Sequence, residues 1–250
     1  MHYERISEIP LIQRMCDDLT DMQRISQRLR QNGVGQLIVT SGYALEGLLG
    51  GGQFLRFHFD CDFLIITDKD FDTVSGLIQE LMPDWISYPT ETNCIWLQNQ
   101  SPPMDSNEWE SRMRTDSKTV ENLRAFNIHV MQSDQPFGDS SIPITSRRGK
   151  YTLNITAGEF TVAAGAPVIE LPILTLEMQI IFKLRAWHTL RNKGHEIREK
   201  DIIDLKLLFA FPEIDFDLVR KHLTASLRSP NPEADVNQLL AEARSFIIEN

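Results

Sequence analysis

Two aspartates separated by one residue are the part of the sequence best suited to chemistry. Asp60 and Asp62 stand at the head of an apolar run that continues to Thr67. Side chains alternate along a strand, so residues i and i+2 point to the same side of a sheet. Mg²⁺ prefers oxygen ligands and usually takes one or two carboxylates, leaving its other positions to water and substrate phosphates. The spacing therefore predicts a divalent-metal site of the kind used in phosphoryl or nucleotidyl transfer.

A small pair of residues lies upstream of these aspartates. An Asp-x-Asp pair also occurs in turns that only contact solvent, so its surroundings must decide between the two interpretations. Residues 36–40 predict a short buried strand, and Ser41-Gly42 follows where a helix should begin. Backbone N–H groups at a helix N-terminus favour phosphate. The context therefore indicates a phosphate site close to a metal site.

The complete motif consists of the small pair, a short helix, glycines 50–52, an Arg-x-His-x-Asp-x-Asp segment and an apolar strand. This order resembles the nucleotidyltransferase superfamily. The likeness is closest to the lincosamide and aminoglycoside nucleotidyltransferases and to the nucleotidyltransferase-like toxins of the AbiEii type. The resemblance implies that Ser41 and Gly42 cradle a nucleoside triphosphate, and that Asp60 and Asp62 bind Mg²⁺.

Further residues take expected roles from the same resemblance. Arg56 and His58 match positions beside the nucleotide, and Glu46 matches an acidic residue of the first helix. Residues 174–187 and 200–205 resemble elements of the toxin-like branch, in which the lysine equivalent to Lys183 reaches the nucleotide. Lys183 lies among apolar residues, and burying an unpaired charge is costly. Its partner is therefore either a nucleotide phosphate or an aspartate of the next helix, at residue 201 or 204.

The sequence departs from the superfamily at the position of a third carboxylate. Many members place an acid on a neighbouring strand, to complete the metal site or to act as the base, and this chain has Asn127 there. An amide oxygen can ligate a cation but cannot accept a proton at neutral pH. His129 is the alternative base, because histidine as a residue type commonly accepts protons near neutral pH, and Asp134 is close in sequence. The Ser-Gly order of the small pair is a second, milder departure.

The elements that must position these residues predict an α+β protein. We expect a nucleotidyltransferase-like mixed sheet flanked by helices over residues 1–165, followed by a C-terminal helical bundle over 166–250. In the first domain, one or two amphipathic helices fill the opening forty residues, and residues 151–155 and 160–163 predict a hairpin through Ala157-Gly158-Glu159. Four helices are expected in the second: 176–191, 198–211, 216–227 and 232–248.

Composition excludes several classes of protein. The 250 residues carry a net charge of -10, which argues against a long nucleic-acid groove because such binding depends on Lys and Arg. Three widely spaced cysteines suggest neither a disulfide framework nor a zinc site. No apolar run approaches the ~20 residues of a membrane helix, and the first residues do not resemble a signal peptide. We therefore expect a cytoplasmic protein that does not enter a membrane.

Together these features predict Mg²⁺-dependent transfer of a nucleoside monophosphate, from an NTP such as ATP, to a hydroxyl group. The acidic charge favours a small-molecule acceptor, and the nucleic acid compatible with the resemblance is a tRNA-like RNA end. Fold does not fix function, so two alternatives stay open. The chain is a module that binds nucleotide or another ligand and has lost transfer, or the fold serves different chemistry on a metabolite.

Overall fold

The computed structural model describes residues 9–49, 58, 60–88, 93–105, 108–109, 111–112, 123–146, 149–161, 168–227 and 229–248. Arg56 and glycines 50–52 of the predicted motif lie outside these residues. The chain divides into two compact units, Met1–Ile173 and Leu174–Asn250. Helices and a mixed sheet are present together, which confirms the predicted α+β class. None of the helices in the described part of the chain has the length and apolar character needed to cross a bilayer.

The first unit combines a mixed sheet with three long helices among its described residues. The helices are α1 (Ile9–Gln31), α2 (Ser41–Leu49) and α3 (Phe71–Leu81). The strands are β1 (Gly35–Val39), β2 (Cys61–Thr67), β3 (Ile86–Tyr88), β4 (Cys94–Gln98), β5 (Ala125–Gln132), β6 (Ser141–Ser146), β7 (Gly149–Phe160) and β8 (Ile169–Leu174).

The strand order is β2-β1-β8-β7-β6-β5-β4-β3, with an additional pairing between β2 and β5. Strand β2 runs antiparallel to β1, with Phe63 opposite Val39, and parallel to β5, with Asp62 opposite Asn127. The C-terminal end of β1 and the N-terminal ends of β2 and β5 therefore meet at one edge. Asp62 and Asn127 lie at this edge, and Ser41-Gly42 follows the end of β1 there.

One face of the sheet belongs to the main hydrophobic core. Helix α1 contributes a buried stripe at steps of three and four residues, as its sequence predicts: Met15, Leu19, Met22, Ile25 and Leu29. Every second residue of β2 and β5 joins the same cluster, including Cys61 and Phe63 on β2 and Phe126 and Ile128 on β5. Because side chains alternate, Asp62 and Asn127 lie on the other face. The burial of these apolar residues therefore fixes the direction of the polar ones.

The hairpin predicted through residues 157–159 is wrong. Residues Gly149–Phe160 form one 12-residue strand, and the observed hairpin joins β6 to β7, with Ser146 opposite Gly149. A Cβ at Gly158 would lie 2.6 Å from Ile173 Cγ2. This glycine therefore permits the close approach of β8, where the sequence suggested a turn.

The second unit contains the four helices expected from the sequence. They are α4 (Leu176–Asn192), α5 (Glu199–Phe209), α6 (Phe216–Ser226) and α7 (Pro232–Ile248). Thr175 is the N-cap of α4, and its side chain accepts a hydrogen bond from Met178 N–H, as its residue type favours. Buried residues of these helices include Ile180 and Leu184 on α4 and Leu239 on α7.

Candidate functional site

The turn between β1 and α2 is attached directly to the backbone of Asp62. Both the N–H and the hydroxyl group of Thr40 donate to the Asp62 carbonyl, at 3.0 and 3.1 Å. Ser41 and Gly42 follow at once as the first residues of α2. The N–H groups of a helix's first turn have no intrahelical acceptor. The structure thus brings Ser41 and Gly42 to the same edge as Asp62.

Ser41 itself has an unusual backbone conformation. Its φ is 55°, in the left-handed region that residues other than glycine, Asn and Asp seldom enter. Such strain persists only where the surrounding structure enforces it, and it is concentrated at functional sites. Here the Thr40 bonds to Asp62 lie on one side of Ser41. On the other, Ala44 N–H donates to the Thr40 carbonyl at 3.3 Å.

The carboxylate of Asp62 is held by an amide from the neighbouring strand. Asn127 Nδ2 donates to Asp62 Oδ1 at 2.8 Å, and Cys94 Sγ donates to Asn127 Oδ1 at 3.1 Å. Asp60 precedes β2 by one residue and, like Asp62, is half-buried. The sequence drew attention to Asn127 but not to Cys94. Only the antiparallel register of β4 on β5, which aligns Trp96 with Asn127, brings this thiol to the site.

The donor set at this edge fits Mg²⁺. Within the described residues, no group of three or more His, Cys, Asp and Glu side chains is placed to hold a metal ion. Two carboxylates, such as those of Asp60 and Asp62, are the usual number for Mg²⁺ when substrate phosphates and water fill the other positions. Their assignment as ligands stays a prediction.

His129 lies on the same face of the sheet as Asn127, two residues further along β5. Its side chain is exposed, and its lateral neighbours are Leu64 on β2 and Cys94 on β4. The structure thus places His129 on the face that carries Asp62, one pleat farther from the edge. Its proposed role as the base stays a prediction.

His58 is buried against α2. Its Nε2 lies 2.9 Å from Glu46 Oε1, and its ring packs on Tyr43 with centroids 4.7 Å apart. This pair ties the chain just before Asp60 to the helix that begins at Ser41. His58 as a whole is 3% exposed, and its contact with a nucleotide stays a prediction.

An ionic network centred on the buried carboxylate of Asp18 lies behind the site, and sequence reasoning missed it. Asp18 accepts hydrogen bonds from Tyr43 Oη at 2.9 Å and from Arg124 Nε at 2.6 Å. Arg124 also donates to Asp21 at 2.6 Å. The available signal was an acid at position 18, inside the apolar stripe of α1. Burial and the nearby Asp18 charge raise the pKa of the Cys61 thiol well above its usual range, which agrees with a core role for this cysteine.

Lys183 is paired within the second unit. Its Nζ lies 2.7 Å from Asp204 Oδ2 and 3.2 Å from Asp201 Oδ1. Arg198 Nε contacts the other oxygen of Asp201 at 2.7 Å. The sequence left two possible partners for Lys183, a nucleotide phosphate or an aspartate of the next helix, and in the structure Lys183 contacts the aspartates. The role of Lys183 towards a nucleotide stays a prediction.

Solved structures similar to this chain include the following three. The lincosamide antibiotic adenylyltransferase LnuA, bound to lincomycin, is 16% identical with a TM-score of 0.45, covering 76% of this chain and 96% of that one. The antibiotic-resistance factor ANT(2'')-Ia is 10% identical with a TM-score of 0.47, over 94% and 99%. An antigenic nucleotidyltransferase-like protein from Paracoccidioides brasiliensis is 13% identical with a TM-score of 0.42, over 92% of each chain.

No protein-family model matches the chain, and no curated protein sequence matches it significantly. The structural likenesses have low identities and TM-scores and do not assign a function. That assignment depends on the residues of the site.

Proposed function

We propose that this protein transfers a nucleoside monophosphate from an NTP to a hydroxyl group of a small molecule, with Mg²⁺. The attachment of Thr40 to the Asp62 carbonyl carries the proposal. It supports the proposal because it brings a helix N-terminus, which favours phosphate, beside Asp62, one of the two carboxylates proposed for Mg²⁺. A nucleoside triphosphate–magnesium complex needs both kinds of group at one place.

The residues of this edge divide the work of such a reaction. Asp60 and Asp62 would hold Mg²⁺, which neutralises charge on the triphosphate when it is bound. The backbone N–H groups at Ser41 and Gly42 donate to phosphate oxygens. The acceptor oxygen bonds to the α-phosphorus as the bond to pyrophosphate breaks. We assign the released hydroxyl proton to His129, because the amide of Asn127 cannot accept it.

A second candidate function follows from Asn127. Its NH2 group is directed at Asp62 and its oxygen at Cys94, so the position of the expected third carboxylate is occupied by a neutral group with both ends engaged. A module that binds a nucleotide without transferring it would tolerate this arrangement. The two candidates share the binding step and differ in the release of pyrophosphate.

Thermal unfolding with each NTP and Mg²⁺ tests the binding step. A ligand at 100 times its Kd stabilises by about 2.7 kcal/mol, which raises Tm by roughly 5–10 °C for a chain of this size. We expect Asp60→Ala and Asp62→Ala to abolish the shift. Asp68→Ala, an exposed aspartate just after β2, is the matched control and should preserve it. A wild-type protein that no triphosphate stabilises would refute both candidates and leave different chemistry on a metabolite.

Pyrophosphate release tests the transfer step. A lincosamide and an aminoglycoside are the first acceptors to use, because the sequence motifs resemble those of the enzymes that modify them, and a tRNA-like RNA end is the third. Release that requires an acceptor and is lost in Asp60→Ala supports transfer. Binding that depends on Asp60, without pyrophosphate release for any acceptor, supports the binding module.

A further inference from the structure

A chain of three side chains crosses three neighbouring strands beside the candidate metal site. It runs from Cys94 on β4 through Asn127 on β5 to Asp62 on β2, with donor–acceptor distances of 3.1 and 2.8 Å. All three lie on the face of the sheet opposite the main core. The chain is continuous, and each donor faces an acceptor.

The chemistry of these groups fixes the direction of the amide. The Asp62 carboxylate, when ionised, is an acceptor only, and a thiol is a weak donor. A flipped Asn127 would set its oxygen against an Asp62 oxygen, whereas the thiol could rotate and accept weakly from the NH2 group. The Asp62 carboxylate therefore selects the orientation in which Asn127 donates to it, and the Cys94 thiol donates to the amide oxygen in that orientation.

We propose that Cys94 and Asn127 form a positioning relay for Asp62. The thiol anchors the amide oxygen, and the amide NH2 group holds Oδ1 of Asp62 and so restrains its carboxylate. Asn127 is then a positioning residue at a place where the resemblance expects an acid. The relay rests on the proposed function in one respect, because its benefit to metal binding requires Asp62 to be a ligand.

Hydrogen bonds that orient a metal ligand typically contribute 10–100-fold to metal affinity. Mn²⁺ alone, with free ion counted by electron paramagnetic resonance, is the probe. We expect Asn127→Ala to weaken Mn²⁺ binding by about 10–100-fold and Cys94→Ala to weaken it by a smaller factor. Cys94→Ser should restore binding, since a hydroxyl can donate to the amide as the thiol does.

The matched control is Cys16→Ala, which removes a half-buried thiol from α1 and should leave Mn²⁺ affinity unchanged. Asn127→Asp distinguishes the relay from a simple gain of a metal ligand. This variant places another carboxylate beside Asp62 and removes the amide donor, so the relay predicts that Asp62 stays as poorly positioned as in Asn127→Ala.

The relay is also measurable in the metal-free protein, by NMR of the Asn127 side-chain NH2 group and the Asp62 carboxylate carbon. We expect Cys94→Ala to shift both resonances and Cys94→Ser to return them towards wild type. Unchanged Asn127 and Asp62 resonances in Cys94→Ala would overturn the relay. If these resonances shift while no NTP with Mg²⁺ stabilises the wild-type protein, the relay stands and the proposed function fails.

Discussion

Replacing Lys183 with methionine tests whether this lysine serves the fold or a nucleotide. The lysine and its partners Asp204 and Asp201 are 8%, 0% and 4% exposed. Removing one member of a buried ion pair typically costs about 3–5 kcal/mol, because the remaining charge stays buried. Asp201 keeps its 2.7 Å contact with Arg198, so we expect a loss at the lower end, about 3 kcal/mol.

Urea denaturation followed by far-UV circular dichroism measures this loss in the full chain. The double variant Lys183→Met/Asp204→Asn should recover part of it, since the buried carboxylate is then neutral. Lys206→Met, a half-buried lysine of α5, is the matched control and should change stability by less than about 0.5 kcal/mol. If Lys183→Met is as stable as wild type but loses triphosphate binding, the structural reasoning is refuted and the nucleotide role holds.

Three further predictions concern the ionic network, the pH dependence and the sheet. Arg124→Ala should destabilise by about 3–5 kcal/mol in urea denaturation, because it leaves Asp18 buried without this partner; a loss below 1 kcal/mol would contradict this. Burial alone would raise the pKa of Asp201, but the opposite effect of Lys183 and Arg198 is larger, so the pKa of this carboxyl is lowered from its usual value. The ionised Asp201 carboxylate therefore contributes stability that is fully present above about pH 3.9 and is lost as pH falls through the lowered pKa. In urea denaturation at a series of pH values, Asp201→Asn should flatten this loss of stability in acid. An added Cβ at Gly158 lies 2.6 Å from Ile173 Cγ2, so Gly158→Val should lower the free energy of unfolding by about 1–3 kcal/mol. Thermal unfolding measures this loss, and Ile173→Ala should relieve part of it.

The sequence predicts the helices and the central strands because their signals are local. The apolar stripe of α1 repeats every three or four residues, and the run after Asp62 is long enough to specify a buried strand. The helix after Thr175 begins at a residue type that caps helices. In each case the residues that determine the element lie within it.

The errors and omissions concern contacts between residues far apart in the chain. Gly158 is packed against β8, and a glycine required for close approach looks the same in sequence as a glycine in a turn. Asp18 and Arg124 are 106 positions apart, so no local pattern joins them. Cys94 reaches Asn127 only through the register of two strands. Pairing partners and register decide these features, and a single sequence carries neither.

Asp62 illustrates how the fold determines a site that the sequence can only suggest. Its carbonyl is held by Thr40 from β1, which brings the N-terminus of α2 alongside, and its carboxylate is held by Asn127 from β5. The first attachment comes from 22 residues upstream and the second from 65 residues downstream. Loss of the Asn127 contact would leave the aspartate in the sequence but free its carboxylate to turn, and loss of the Thr40 contact would detach the start of α2 from its backbone. An intact Asp-x-Asp motif is therefore insufficient for metal binding here, and variants of Asn127 should impair the site while both aspartates remain.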